Sequence, residues 1–308
     1  LGASSRKGNF GGKAMKVLVT GGLGFVGSNL VDYLRDKKNY EVTVIDNLCS
    51  ESSSKNYMRD DVEYWVDDVR NMSHIKYANK KFDVVYHLAA LARIQPSFKD
   101  PVTYMSIDVM GTTEVCEFAR RSGAKLVYAG SSSAYAGHFL NPYAFAKYTG
   151  EQVCQLYHKV YGMSTVVARF FNVYGDRQPT TGAYATVVGI FEKQTAENKL
   201  LTVTGDGEQR RDFTHIDDIV RGFAALGDND WSKFDDTLVF NIGTGKNYSI
   251  NELANMFGGK IQYIPPRPGE AKITLSDSSL LKKHTSWVIE KDLESYVLQF
   301  LKKCKSDI

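Results

Sequence analysis

The sequence is poor in the features that mark several protein classes. Its 308 residues include four scattered cysteines, Cys49, Cys116, Cys154 and Cys304, with no Cys-x-x-Cys pair. Thiols spaced in this way give no metal cluster, and they suggest a reducing compartment, hence a cytoplasmic protein. No apolar run reaches about 18 residues, so no membrane span is expected. The formal net charge is only +3. That excess is too small to argue for nucleic acid or an anionic membrane, though it is compatible with an anionic substrate. Residues 15–308 show no internal repeat and no low-complexity segment. Residues 1–14 are Gly/Ser/Lys-rich, precede Met15, and are expected to form a leader outside the fold. What remains is 43% hydrophobic and 24% charged, with length for one large α/β unit or two smaller lobes.

Lys16 to Thr20 is a short apolar run that ends in glycines and reads as a buried strand. Gly21-Gly-Leu-Gly-Phe-Val-Gly27 follows, then an amphipathic stretch to about Lys37. Strand, glycine turn and helix in this order form the context of a dinucleotide-binding loop. Gly21 permits the tight turn, Gly24 lets a pyrophosphate approach the backbone, and Gly27 lets helix pack on strand. The helix start then offers free N–H groups to phosphates; a plain βα turn is the alternative. Glu41 to Ile45 reads as the second strand, with Asp46 at its end, 19 residues past Gly27. An acid there accepts from both ribose hydroxyls and repels a 2′-phosphate, which selects NAD over NADP. The alternative is that Asp46 caps the following loop. Val62 to Val66 is a third strand, followed by Asp67, Asp68 and Val69. A carboxylate here suits an adenine amino group, or is an ordinary turn acid.

Phe82 to Leu88 is a continuous apolar run that opens into Ala89-Ala90-Leu91-Ala92, small residues against which a cofactor can lie. His87 reads as a packed histidine rather than a catalyst. Residues 101–121 read as helix, stopped by Gly123. Lys125 to Ala129 is the fifth strand and runs into Gly130-Ser131-Ser132-Ser133. Ligands in open parallel sheets sit beyond the carboxyl ends of strands, so this hydroxyl cluster has a functional reading beside that of a Ser-rich turn. Asn141 is a good N-cap and Pro142 a good first residue for a helix to 161. That helix carries Tyr143 and Lys147 one turn apart on one face. A fixed ammonium beside a phenol favours the phenolate, so the Tyr143 pKa is expected to fall below its usual value of about 10. A phenol tuned in this way can exchange a proton with a sugar hydroxyl. A Tyr and a Lys at this spacing also arise by chance on helix surfaces.

Ser164 to Phe170 is a sixth strand, and the alternation over 16–170 argues a doubly wound parallel sheet. Beyond it the texture changes. Residues 172–184 are polar and turn-rich, and Gly205-Asp-Gly207 is a turn. A helical run follows near 216–226, and Leu238 to Ile242 looks like a strand returning to the main sheet. Pro265 to Glu270 is a rigid loop with one cation, Arg267.

These pieces closely resemble the extended short-chain dehydrogenase/reductase family, in its NAD-dependent nucleotide-sugar epimerase/dehydratase branch. The matching stretches are Thr20–Gly27, Asp46-Asn47, Asp68-Val69, His87–Ala90, Ser131–Ser133, Tyr143-x-x-x-Lys147, Arg169–Gly175 and Arg211-Asp-Phe. They keep the family's order across nearly all of 15–270. The resemblance implies an α/β Rossmann fold with a smaller C-terminal substrate-binding lobe. The NAD-binding part would span 15–171 with returning segments near 214–245, and the substrate lobe mainly 172–308. NAD would be held by Gly21, Gly24, Phe25, Val26, Gly27, Asp46, Asn47, Asp68, Val69, Leu88, Ala89, Ala90, Asp108, Tyr143, Lys147 and Phe170. A UDP-sugar would meet Ser131, Ser132, Ser133, Tyr143, Asn172, Val188, Arg211, Arg267, Glu270 and Thr274.

In the roles the resemblance implies, Tyr143 is the base and Lys147 binds the nicotinamide ribose while lowering the Tyr pKa. Ser131 bonds the sugar O4, and Ser132 and Ser133 line the sugar pocket. Asn172, Arg211 and Arg267 meet the diphosphate, which suits fork-shaped guanidinium groups. Glu270 holds the uridine ribose. The reaction would be 4-epimerisation through a transient 4-keto sugar, with NAD regenerated. UDP-glucose and UDP-galactose are the expected pair, and the small Thr274 at the sugar gate would admit the N-acetylated pair. A homodimer through helices near 101–121 and 142–161 is also implied.

The family's dehydratases carry Thr-Asp-Glu where this chain has Ser131-Ser132-Ser133, which favours epimerisation. Two positions depart from the family pattern. Asp108 stands where Asn is usual, and an Asp is acceptor-only unless protonated. Ser131 and Tyr143 are 12 residues apart, about half the usual gap, so the loop over the sugar must be short. Rival readings are a uronate epimerase or decarboxylase, which needs a cation or hydroxyls aimed at a C6 carboxylate, a 4,6-dehydratase, and a non-catalytic NAD-binding regulator. The last has no use for an intact proton relay.

Overall fold

A computed structural model describes residues 14–50 and 53–306. The expected leader therefore lies outside the described residues, Ala14 excepted. The strands in chain order are β1 (Lys16–Thr20), β2 (Glu41–Asp46), β3 (Glu63–Val66), β4 (Val84–His87), β5 (Lys125–Ser131), β6 (Thr165–Phe170), β7 (Asn172–Tyr174), β8 (Leu201–Thr204), β9 (Arg210–His215), β10 (Leu238–Ile242), β11 (Asn247–Ser249) and β12 (Ile261–Ile264). Seven of them form one sheet in the order β10-β6-β5-β4-β1-β2-β3. Every pairing in it is parallel.

Side-chain alternation along β1 explains why both faces are covered. Val17 and Val19 point into a core with Leu30, Val31 and Leu34 of the helix Phe25–Asp36 and with Ile219 and Phe223 of the helix Ile216–Gly227. Leu18, between them, points into the opposite core, with Val115 and Cys116 of the helix Gly111–Ser122 and Cys154 and Tyr157 of the helix Pro142–Tyr161. Each such apolar side chain removed from water contributes roughly 1.5–3 kcal/mol. The result is the doubly wound α/β sheet that the sequence indicates.

The chain runs outward from β1 through β2 to β3, then jumps back to β4 on the other side of β1. This reversal leaves a crevice at the carboxyl ends of β1 and β4. Residues 172–306 build two small sheets, β11-β9-β7 and β12-β8, around a third core that includes Phe191, Leu201, Phe213 and Leu253. From there β10 returns to the main sheet beside β6, as its apolar run suggests.

The helix expected over 101–121 is broken. It begins as Pro101–Tyr104, passes through one wider π turn at Met105–Met110, and resumes as Gly111–Ser122 before the left-handed Gly123. A separate short helix, Ile94–Lys99, precedes it. Pro96 and Pro101 both sit in first turns, where a missing N–H costs little. Asp100 caps the second helix by accepting from Thr103 N at 3.1 Å. The strands β7, β11 and β12 are three or four residues long, too short for alternation to reveal.

Candidate active site

A cleft of about 930 Å³ opens at the crevice between β1 and β4, near the top of the range of roughly 300–1,000 Å³ for small-molecule sites. Every residue expected to contact cofactor or substrate lines it except Asp108. The cleft joins the glycine turn, the loop after β4, the serines after β5, the start of the helix Pro142–Tyr161, and loops of the second assembly.

At the glycine turn, Gly21 has φ +70, and a Cβ on Gly27 would lie 2.0 Å from the Gly21 carbonyl oxygen. Both positions therefore demand glycine for the reasons inferred from sequence. Gly24 is the N-cap of the helix Phe25–Asp36 and supplies no side-chain cap. The first-turn amides of that helix, Phe25, Val26 and Gly27, are left to an anionic ligand. A Cβ on Gly24 would touch nothing closer than 3.5 Å in the protein, so packing does not demand glycine there. The residues present thus fit a dinucleotide pyrophosphate.

Asp46 closes β2 with its side chain buried. It accepts from Leu23 N at 2.9 Å and Leu48 N at 2.8 Å. The loop-capping reading is therefore correct, and it does not exclude the ribose reading. Each oxygen takes one backbone bond, and a carboxylate has about four acceptor positions. Asp68 is more committed. It accepts from Asn47 Nδ2 at 2.9 Å and from Arg70 Nη2 at 2.8 Å, and its arginine partner pulls its pKa down. His87 is a packed histidine, as read. Thr20 Oγ1 and Thr112 Oγ1 lie 2.7 and 3.0 Å from its ring nitrogens, and burial pushes its pKa down to about 3.

Asn141 caps the helix Pro142–Tyr161 by accepting from Ala144 N at 2.8 Å. Tyr143 lines the cleft, and the Ser131 hydroxyl lies within reach of its phenol. The expected fall in the Tyr143 pKa is not what the structure shows. Burial holds the phenol above its ordinary value, and the downward pull comes from Ser131 and Arg93 rather than Lys147. The reason is where the ammonium sits. Lys147 Nζ lies over the ring of Tyr128, 4.3 Å from its centroid, and burial lowers its own pKa against the charges of Asp108 and Glu151.

Asp108 must also be corrected. It does not line the cleft; it is 1% exposed on the wide turn Met105–Met110. Its Oδ1 accepts from Leu91 N at 2.7 Å, and its Oδ2 is buried without a hydrogen-bond partner. Burial pushes its pKa up to about 7, opposed by Lys147. It supports the loop after β4 from behind.

On the opposite elements, Arg211 in β9 faces Glu270 at 3.5 Å. Arg267 is exposed on the Pro-rich loop, and Val188 is buried in the helix Val187–Ala196. Thr274 is buried, and its Oγ1 accepts from Asp212 N at 3.3 Å, so it is partly structural. Asn172, Phe170, Ser132 and Ser133 complete the wall, and Ser133 Oγ is buried without a partner. Sequence reasoning missed Arg93 and Tyr184. Arg93 lines the cleft and donates from Nη2 to the Tyr184 carbonyl. Its position just past the carboxyl end of β4 is the signal that could have found it.

The arrangement offers an anion cradle, a half-buried phenol with an adjacent hydroxyl, and two guanidinium groups, Arg211 on β9 and Arg267 on the Pro-rich loop. A family model described as NAD dependent epimerase/dehydratase family matches residues 17–243. A protein of Methanocaldococcus jannaschii provisionally named UDP-glucose 4-epimerase is 34% identical, over 94% of this chain and 99% of its own. The UDP-glucose 4-epimerase of Thermotoga maritima, solved with UDP-glucose, is 28% identical at a TM-score of 0.85, over 94% of this chain and 99% of that one. The UDP-glucuronic acid 4-epimerase of Bacillus cereus, solved with UDP-glucuronic acid and NAD, is 29% identical at a TM-score of 0.83, over 96% and 100%. The glycine cradle, the helix-borne Tyr143 and Lys147 and the matching span lead to one placement: this chain belongs to the NAD-dependent epimerase/dehydratase family of the extended short-chain dehydrogenases/reductases.

Proposed function

We propose that this chain interconverts UDP-hexoses at C4, with UDP-glucose and UDP-galactose as the reference pair. The observation that carries this reading is the half-buried Tyr143 phenol beside Ser131, in a cleft where Ser131, Ser132 and Ser133 stand at the end of β5. When bound, NAD would supply the hydride acceptor and donor for the sugar C4.

The chain's own residues do the rest. Gly24 and the first-turn amides would hold the pyrophosphate, and Asp46 with Asn47 the adenosine ribose. Asp68 and Val69 would border the adenine, and Leu88, Ala89, Ala90 and Phe170 the nicotinamide side. Lys147 would meet the nicotinamide ribose. Tyr143 removes the O4 proton and later restores it, with Ser131 and Arg93 opposing the burial that disfavours its phenolate, and Ser131 holds O4 in line. Asn172, Arg211 and Arg267 fix the diphosphate, Glu270 the uridine ribose, and Val188 and Thr274 shape the nucleotide and sugar walls. With the diphosphate anchored, the 4-keto sugar can turn and present its other face. In this assignment 15–171, with 214–245, serves the cofactor, and 172–308 mainly the substrate.

We assign the chain to the cytoplasm, in keeping with four cysteines that form no disulfide; no helix of the described residues is long and apolar enough to cross a membrane. A homodimer through the helices of 101–122 and 142–161 accounts for the outward-facing Val102, Met110, Leu156 and Val160. The test is product analysis from NAD-loaded protein supplied with a panel of UDP-hexoses. A C4 epimer with no net change in NAD supports the reading. Protein that retains NAD yet leaves every sugar unchanged overturns it.

A further inference from the structure

The cations of the cleft differ in what balances them. Arg211 faces Glu270 at 3.5 Å. Lys147 rests on Tyr128 with Asp108 and Glu151 nearby. Arg93 has no such balance. Among the described residues no carboxylate pairs with it, and its Nε is buried without a hydrogen-bond partner. Among the described residues its hydrogen bond runs from Nη2 to a backbone carbonyl, that of Tyr184. Its electrostatic neighbours are three tyrosines, Tyr143, Tyr184 and Tyr104, and burial works against its charge. A guanidinium stays protonated at any working pH. An enclosed, unbalanced charge of this kind is costly unless a ligand supplies the counter-ion.

The location narrows the ligand. Arg93 is felt by the Tyr143 phenol, the group that would act on the sugar. The diphosphate already has two candidate arginines, Arg211 and Arg267, on other elements. Ser133, whose hydroxyl is buried and unpartnered, lines the same cleft. A guanidinium fork fits a phosphate or a carboxylate; with the diphosphate already provided for, a carboxylate is the anion left to Arg93.

We propose that Arg93 docks a carboxylate carried by the sugar, so that the preferred substrate is an acidic nucleotide sugar rather than a neutral hexose. This rests on the epimerase reading above and specifies its substrate. Arg93 acts as a specificity residue, and its charge also favours the ionised form of Tyr143.

The experiment compares kcat/KM for UDP-glucuronate, UDP-N-acetylmuramate and UDP-glucose on NAD-loaded wild type, Arg93→Gln and Arg93→Lys. UDP-glucuronate carries its acid at C6, UDP-N-acetylmuramate on the ether at C3. Wild type should prefer one acidic sugar to UDP-glucose, and the responsive sugar identifies where the acid sits. Arg93→Gln should reduce the acidic-to-neutral ratio by about tenfold or more. Arg93→Lys should keep part of that ratio, having charge without the fork. The acid limb of the kcat/KM pH profile should move to higher pH in Arg93→Gln, because a charge favouring phenolate is gone. Direct calorimetry of sugar binding gives the same ratio without turnover. A wild-type preference for UDP-glucose, or a ratio unmoved in Arg93→Gln because Arg93 only tethers Tyr184, overturns the proposal and leaves the epimerase reading standing. Absence of turnover on every sugar overturns that reading instead.

Discussion

The two walls of the cleft are built differently. On one side Tyr143, Lys147 and the glycine turn sit on or directly against regular elements, the helix Pro142–Tyr161 and the strand β1. On the other side Arg267, Glu270 and Tyr184 sit on loops, tied down by side-chain contacts such as Arg211 to Glu270, Gln95 to the Pro268 carbonyl and Arg93 to the Tyr184 carbonyl. The difference separates two jobs. Chemistry needs atoms fixed to within a fraction of an ångström, which packed elements supply. Discrimination between sugars tolerates change, and loops can change without disturbing a core.

If that division is right, damage to the rigid wall removes activity and damage to the loop wall changes affinity. The largest effect is expected for Tyr143→Phe. Turnover should fall by roughly 10²–10⁴-fold, with KM and bound NAD little altered; steady-state kinetics and cofactor content check this. Gly27→Ala should come next, since its Cβ would meet the Gly21 carbonyl at 2.0 Å. It should lower Tm and bound NAD together. Gly123→Ala is the control, where a Cβ meets nothing within 4 Å and only a left-handed φ of +75 opposes it, a cost of about 1 kcal/mol. On the loop wall, Arg267→Ala should raise KM by about tenfold with kcat nearly kept; an equal fall in kcat would break the division.

A fourth measurement concerns the support behind the rigid wall. Burial lifts Asp108 to about 7, above an unfolded carboxyl near 3.9. A carboxyl raised in this way leaves stability whole below the unfolded value and withdraws it as pH climbs toward the folded value. The Tm of Asp108→Asn should therefore gain on wild type between pH 4 and 7, by thermal denaturation across that window; a constant difference would show that Asp108 does not titrate there. The smallest effect is expected for Phe139→Ser, whose side chain is 86% exposed. It should change stability by less than about 0.5 kcal/mol.

The rigid wall was also the legible one. Lys16–Thr20, the glycines and the Asn141-Pro142 helix start follow local rules, and the structure keeps them nearly to the residue. The wide turn at Met105–Met110 was not legible, because nothing in the periodicity of 101–121 marks where a helix widens. Nor was the ammonium of Lys147, whose one-turn spacing from Tyr143 says they share a face but not that the Tyr128 ring draws it aside. Asp108 and Arg93 were misread or missed for one reason. Burial is a property of the whole packing, and no spacing along the chain reports it.

The placement of β10 has a practical consequence. That strand is the outer neighbour of β6, yet it arrives only after the chain has laid down β7, β8 and β9 elsewhere. Cutting the gene after residue 171 would not release a tidy half-protein. It would bare the hydrogen-bonding edge of β6 along Thr165–Phe170, and a naked, apolar edge recruits other chains. Recombination within this scaffold has to proceed by exchanging surface segments between intact strand ends.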